Sequence, residues 1–306
     1  MRISLALRRS IVLSAAVVGG LVAASAQAEL IYGLTSTSTS LVSFDSASAN
    51  TVSAPIPITG VTVGLLRGID FRPANGLLYG LSYTATAAEQ AQLYTINTTT
   101  GVATAVGGPV TLTGTGTSTR VSIDFNPVAD ALRVATGTNT NYRISPTTGA
   151  ILGQDTNFAY AAGDPGAGTT PLMGDVAYSN NVAGATSTTL YGHEFIRDAI
   201  TIVNPPNSGQ MTSVGLTLPV TAFDAGVGFD ISGATGIAYL SLDDGPSPSS
   251  NEEIYTVNLA TGATTLIGNE IPVNLIDISV APVPEPASIG VAMIAGLGVL
   301  ARRRRA

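Results

Sequence analysis

The sequence predicts an all-β fold, a β-propeller of five four-stranded blades closed into a ring. Three observations predict it. A short motif returns along the chain at intervals of about 50 residues. The segments between its copies are short runs of Thr, Val, Ile and Tyr bounded by Gly, Pro and Asn, which is the composition of strands and turns. The repeat also starts out of phase with the chain, which a ring explains and a linear array does not.

The motif is Gly68-Ile69-Asp70-Phe71-Arg72-Pro73. It returns as Ser122-Ile123-Asp124-Phe125-Asn126-Pro127, and more loosely as Gly228-Phe229-Asp230-Ile231 and Leu275-Ile276-Asp277-Ile278. A degenerate copy is Asp175-Val176-Ala177-Tyr178, with Val176 in the aspartate position, so the intervals are 54, 52, 54 and 47 residues. A second strand follows each of the first four copies, at 77–83, 131–136, 189–193 and 236–242. Third strands are expected at 92–97, 141–145, 199–204 and 253–259, and fourth strands at 102–107, 150–153, 211–215 and 263–268. The turns Asn97 to Gly101, Ser145 to Gly149 and Asn258 to Gly262 open with a side chain able to bond the local backbone. Each closes on glycine, which tolerates positive φ. No stretch of the body has a long 3.6-residue apolar period.

The phase decides between ring and array. Leu30-Ile31-Tyr32-Gly33 matches the second-strand segments Leu78-Tyr79-Gly80 and Leu190-Tyr191-Gly192, whereas Ile276-Asp277-Ile278 matches a first strand. The last blade therefore takes its first strand from the C-terminal end of the body and its other three from residues 30–58. Hydrogen bonds between the two ends close such a circle. A six-bladed ring and a β-sandwich are the alternative architectures.

The two ends of the chain are addresses. Residues 1–28 read as a signal peptide: Arg2, Arg8 and Arg9, an apolar run from Ile11 to Ala24, then the small residues Ala26 and Ala28 at the cleavage site. Pro284, Glu285 and Pro286 are followed by an apolar stretch from Ile289 to Ala301, expected to be a hydrophobic helix, and by Arg302, Arg303, Arg304 and Arg305. Such a tail halts export with the body outside and the arginines cytoplasmic. At about 13 residues it is short for a permanent bilayer span. These features resemble the PEP-CTERM sorting signal over 283–306. The resemblance implies export in an exopolysaccharide-making Gram-negative bacterium, transient inner-membrane anchoring, and cleavage by an exosortase near Pro-Glu-Pro. It further implies delivery to the cell surface or extracellular space. Signal peptidase and exosortase are the implied partners. Between the two signals, residues 29–282 form the repeat body. Its recurring Ile-Asp-Phe-x-Pro, Leu-Tyr-Gly-Leu and Thr-Thr-Gly segments resemble domain-of-unknown-function family 4394, a family that implies no activity.

Composition excludes much chemistry. The chain has no cysteine, no tryptophan and one histidine, and all 13 of its basic residues are arginine. Thiol catalysis, disulfides, Schiff-base lysines and Gly-Lys phosphate loops are absent, and a site with two or three histidine ligands cannot be built. Six arginines against 19 acids give the body a charge of −13. That argues against nucleic acid or anionic lipid as partner.

The remaining candidates are carboxylates. Asp70, Asp124, Asp230 and Asp277 sit on the innermost strands. They could ring the channel and bind calcium, or cap backbone N–H groups of their own hairpins, such as Arg72 to Gly76. Asp243, Asp244 and Glu252 could wrap a calcium ion, although the spacing is not that of an EF-hand. No other cofactor is expected. His193 with Glu194 and Asp198 could form an acid–base pair, yet no residue is assigned a catalytic role and no Gly-x-Ser-x-Gly elbow is present. The recurring Tyr32, Tyr79, Tyr191 and Tyr239 read as blade packing. Long loops are expected on one face, where strand two joins strand three and each blade joins the next. The expected function is a non-enzymatic surface or biofilm-matrix protein that meets exopolysaccharide or another surface protein. The alternative is an extracellular polysaccharide hydrolase or lyase using loop carboxylates.

Overall fold

Runs of β-branched and aromatic residues broken by Gly and Asn turns form strands throughout the computed structural model, which describes residues 28–216, 226–243 and 252–283. Blade 1 contains β1 (Leu30–Thr35), β2 (Ser40–Asp45) and β3 (Ile56–Pro57). Blade 2 is β4 (Leu65–Phe71), β5 (Leu78–Tyr83), β6 (Gln90–Ile96) and β7 (Ala103–Thr111). Blade 3 is β8 (Val121–Asn126), β9 (Ala131–Thr136), β10 (Asn141–Ile144) and β11 (Ile151–Gln154). A crossover strand β12 (Ala159–Tyr160) precedes blade 4, which is β13 (Met173–Tyr178), β14 (Leu190–Glu194), β15 (Ala199–Val203) and β16 (Gln210–Leu216). Blade 5 is β17 (Val227–Ile231), β18 (Ala238–Asp243), β19 (Glu252–Val257) and β20 (Thr264–Ile271). Finally β21 (Leu275–Val280) returns to blade 1 and pairs antiparallel with β1, from Ile31 opposite Val280 to Thr35 opposite Leu275.

The result is a five-bladed propeller closed by strands from both ends. One blade departs from four strands: β12 adds a fifth, parallel to β16, on the outer edge of blade 4. The innermost strands β4, β8, β13, β17 and β21 each contact the next around the axis. Buried apolar side chains gather in five clusters, one in each seam between neighbouring blades. Leu81 and Leu93 of blade 2 meet Ile123 and Leu132 of blade 3, for example. The recurring tyrosines belong to these seams. Tyr32 stacks edge-on against Phe71, and Tyr79 against Phe125, at 5.5 and 5.1 Å between ring centres.

The Thr-Thr-Gly turns have a double reason for glycine. Gly101, Gly149 and Gly262 have φ of +72°, +70° and +75°. A Cβ on Gly101 would also lie 2.0 Å from the carbonyl oxygen of Pro57 in the preceding blade. In the same turns Asn97 Oδ1 accepts the N–H groups of Thr99 and Thr100, both at 2.9 Å.

Strand direction gives the ring two faces. Hairpins from first to second and third to fourth strands share the turn face. The other loops and the blade-to-blade crossovers share the loop face, where every innermost strand begins. Both ends of the body lie on the turn face. The Ala281 N–H donates to the Leu30 carbonyl, 2.8 Å. Glu29 is buried there, accepting the hydroxyls of Ser232, Thr235 and Tyr239 from blade 5. Among the described residues no helix is long and apolar enough to cross a membrane. The leader up to Gln27, including Ala26, and the tail from Pro284, with its expected helix and Arg302 to Arg305, lie outside the described residues.

Candidate functional site

An innermost propeller strand is an edge strand, and N–H groups on its free side point into a narrow channel with no strand to receive them. Aspartates receive them here. Asp70 Oδ2 accepts the Phe125 N–H at 2.7 Å, Asp124 Oδ1 the Tyr178 N–H at 3.0 Å, and Asp175 Oδ2 the Phe229 N–H at 2.7 Å. Asp230 Oδ2 accepts the Val280 N–H and Asp277 Oδ2 the Ile69 N–H, both at 2.6 Å. Each carboxyl thus reaches from its own blade to the next, and five such bonds complete the circle. The capping role is real, but its target corrects the expectation from sequence. One oxygen of each carboxyl bonds the neighbouring blade, and in Asp175, Asp230 and Asp277 the other accepts the N–H of the next residue in the same strand; the turn groups need no cap, because they are already paired, as in Gly76 N–H to Arg72 O.

A second correction concerns blade 4. Its aspartate is not missing; Asp175 fills the role that position 176 was expected to have lost. Asp70 and Asp230 pair in register with Tyr79 and Tyr239, but Tyr191 faces Ala177 and Tyr32 faces Ser279. Asp175 and Asp277 therefore sit two residues nearer the loop face. The channel has two acidic levels. Asp70, Asp124 and Asp230 occupy one, and each offers a carboxylate oxygen within 4.8 Å of the other two. Asp175 and Asp277 occupy the other and share a hydrogen bond.

All five carboxyls are buried, and burial is the first cause that raises the pKa of each; neighbouring acids raise it further. Asp230 is pushed up to about 6 and Asp175 to about 8. The separation in the triad matches oxygen ligands of one calcium ion, which lie up to about 5 Å apart. Among the described residues it is the one such convergence of three ligands. Asp277 is not part of it.

The loop-face candidates are brought together differently from the expectation. Asp243 faces Glu252 across β18 and β19, and both are buried. Asp243 accepts from Asn274 Nδ2 at 3.3 Å and Glu252 from the Leu275 N–H at 3.0 Å, so they anchor the start of the closing strand. Asp244 lies outside the described residues. The acid–base pair that His193 and Glu194 could have made does not form. Glu194 is fully buried and spent on the N–H groups of Leu172, Ile196 and Arg197 and the hydroxyl of Tyr160. His193 is fully buried, and neither ring nitrogen has a hydrogen-bond partner among the described residues. Burial, and then the charge of Arg120, push its pKa down to about 4, so it stays neutral.

Above the acidic levels the channel opens on the loop face into a cavity of about 350 Å³. All five blades reach it, through Asp277, Arg67, Arg120 with Ser122, Gly174 and Val227. A Cβ on Gly174 would lie 2.9 Å from His193 Nδ1, so the glycine makes room for that ring. Arg120 lies over the Phe195 ring at 4.0 Å. Arg67 is half-buried, its Nε is fully buried, and no described group bonds to it. Burial lowers its pKa. Sequence reasoning missed Arg67 and Arg120 as channel residues. The available signal was position: each stands one or two residues before a copy of the repeat motif, where the innermost strand leaves the loop face.

The model of the family described as Domain of unknown function (DUF4394) matches residues 40–279, and that of the PEP-CTERM protein-sorting motif matches residues 282–305. No curated protein matches the sequence. Three solved structures are similar in fold. One is a Bacteroides thetaiotaomicron protein of unknown function, at TM-score 0.48 and 11% identity over 85% of this chain and 68% of that one. A candidate 6-phosphogluconolactonase from Bacteroides uniformis has TM-score 0.44 and 11% identity over 80% of this chain and 83% of its own. The Pseudomonas aeruginosa periplasmic gluconolactonase has TM-score 0.38 and 13% identity over 85% and 69%.

Proposed function

The chain belongs to the family described as Domain of unknown function (DUF4394), and from that premise we propose that it is a non-catalytic binding protein of the cell surface or matrix, associated with exopolysaccharide. The PEP-CTERM motif at residues 282–305 marks it as an exported, exosortase-sorted protein. The observation that supports a binding role is the contrast inside the channel: the acids are consumed by structural hydrogen bonds, while a polar cavity stays open at the mouth. A glycosidase acting on polysaccharide ordinarily uses two carboxyls that reach one substrate, about 5–9.5 Å apart. Asp277 is the one carboxyl among the described residues that line the cavity. Its two oxygens accept the N–H groups of Ile69 and Ile278, at 2.6 and 2.8 Å.

The test passes the full chain over an immobilised polyuronate and an immobilised neutral glucan. The eluates are then assayed for reducing ends and unsaturated sugars. Retention without new chain ends is the expected result. Release of such ends would overturn the non-catalytic reading, and failure to be retained on either polymer would overturn the polysaccharide association.

A further inference from the structure

We propose that the cavity at the loop-face mouth is an anion site, built to take one compact oxyanion such as the carboxylate of an acidic sugar. The proposal rests on the binding role above and names the chemistry of its ligand.

Arg67 sets the chemistry of this cavity. A guanidinium keeps its charge in a protein and carries five donors. Burying such a group without a partner is unfavourable, and folded proteins rarely tolerate it without a reason. The other arginines of the body have found partners. Arg72 pairs with Asp130, and Arg133 and Arg143 share Asp155 at 2.6 and 2.8 Å. Arg197 lies 3.7 Å from Asp164. Arg67 alone faces a cavity with its Nε buried and unbonded among the described residues. An anion entering there supplies the missing acceptor.

Charge distribution agrees. The body carries −13, from six arginines against 19 acids, and repels anions from most of its surface. Two of those six arginines line this one cavity. The carboxyl beside them does not oppose an anion. Asp277 turns both oxygens to backbone N–H groups, and burial favours its neutral form. The volume, about 350 Å³, lies at the lower end of small-ligand sites, roughly 300–1,000 Å³, and suits a single sugar.

Calorimetric titration of the full chain with D-glucuronate, D-glucose and inorganic phosphate tests the proposal. Glucuronate is expected to bind and glucose at equal concentration is not. Arg67→Gln should weaken glucuronate at least tenfold. It should also leave the melting temperature without ligand unchanged or higher, because an unpartnered buried charge is removed. Arg72→Gln, on the turn face, should bind as the parent does. Phosphate binding alongside glucuronate would make the oxyanion itself the recognised group, whereas glucuronate alone would make it a carboxylate on a sugar. Affinity should fall as sodium chloride is raised, a readout that holds even if the variant fails to fold. No binding of either anion, equal binding by Arg67→Gln, or salt-independent affinity would overturn the site. Retention on neutral glucan with no glucuronate binding would sink only the anion site. Glucuronate binding with no retention on any polymer would sink only the polysaccharide role.

Discussion

One channel carries two opposite kinds of polar group. In its interior, five carboxyls accept backbone N–H groups from the next blade, and none is left idle. At its mouth, Arg67 lines the cavity with its Nε buried and unbonded among the described residues. Both regions carry ionisable groups, are axial and are partly or wholly buried, so burial alone does not distinguish scaffold from site. Saturation does. Groups whose bonding capacity is filled by the fold hold the blades together, and the group left unfilled is available to a ligand.

The largest expected effect breaks the scaffold half of that comparison. Deleting residues 275–280 removes the closing strand, the Asp277 bond to blade 2 and the Ser279 acceptor of the Phe71 N–H. The body should lose its cooperative thermal transition in circular dichroism. An unshifted transition would mean that the ring does not depend on closure. A smaller effect separates acceptor from charge. Asp230→Ala orphans the N–H groups of Val280 and Ile231. It should cost about 1–3 kcal/mol for each, read by urea unfolding. Asp230→Asn keeps an acceptor and mimics the neutral acid, so it should cost less than half as much. Equal losses would show that the charge itself is needed.

The smallest effect is the pH slope. Burial raises Asp230 to about 6 and Asp175 to about 8, against an ordinary value of 3.8. Between about pH 4 and pH 8 the folded state therefore holds protons that the unfolded chain has released. Stability is full below about pH 4 with respect to these groups and is lost as pH rises through the folded values. The melting temperature in chelator should be higher at pH 5 than at pH 8, and Asp175→Asn should flatten the difference. Calcium should leave the pH 6 melt unchanged. A marked gain with calcium would turn the Asp70, Asp124 and Asp230 triad from a staple into a metal centre.

The ring was legible in the sequence because closure leaves a phase offset, and the match of Leu30-Ile31-Tyr32-Gly33 to a second strand is visible without coordinates. The hairpins were legible because Asn97 and Gly101 act within a few residues of one another. The channel was not. Asp70 bonds a group 55 residues away and Asp277 one 208 residues away. A pattern inside one repeat cannot tell a side chain that turns on its own hairpin from one that crosses to the next blade. Asp175 escaped for a related reason. Opposite Tyr191 stands Ala177, so alignment on the tyrosine puts the acid two residues out of place. His193 closes the second strand expected at 189–193, but its full burial opposite Asp175 shows only in the structure.

The exit of the chain from the turn face has a consequence for how the molecule is moored. β21 ends at Val280, and eight residues, 281–288, separate it from the apolar stretch that begins at Ile289. Eight extended residues span at most about 28 Å. A tail anchored as the sorting motif implies would hold the propeller by its turn face, opposite the arginine-lined mouth. Cleavage near Pro-Glu-Pro would leave the new terminus on that same face. An attachment made there would again stay clear of the pocket.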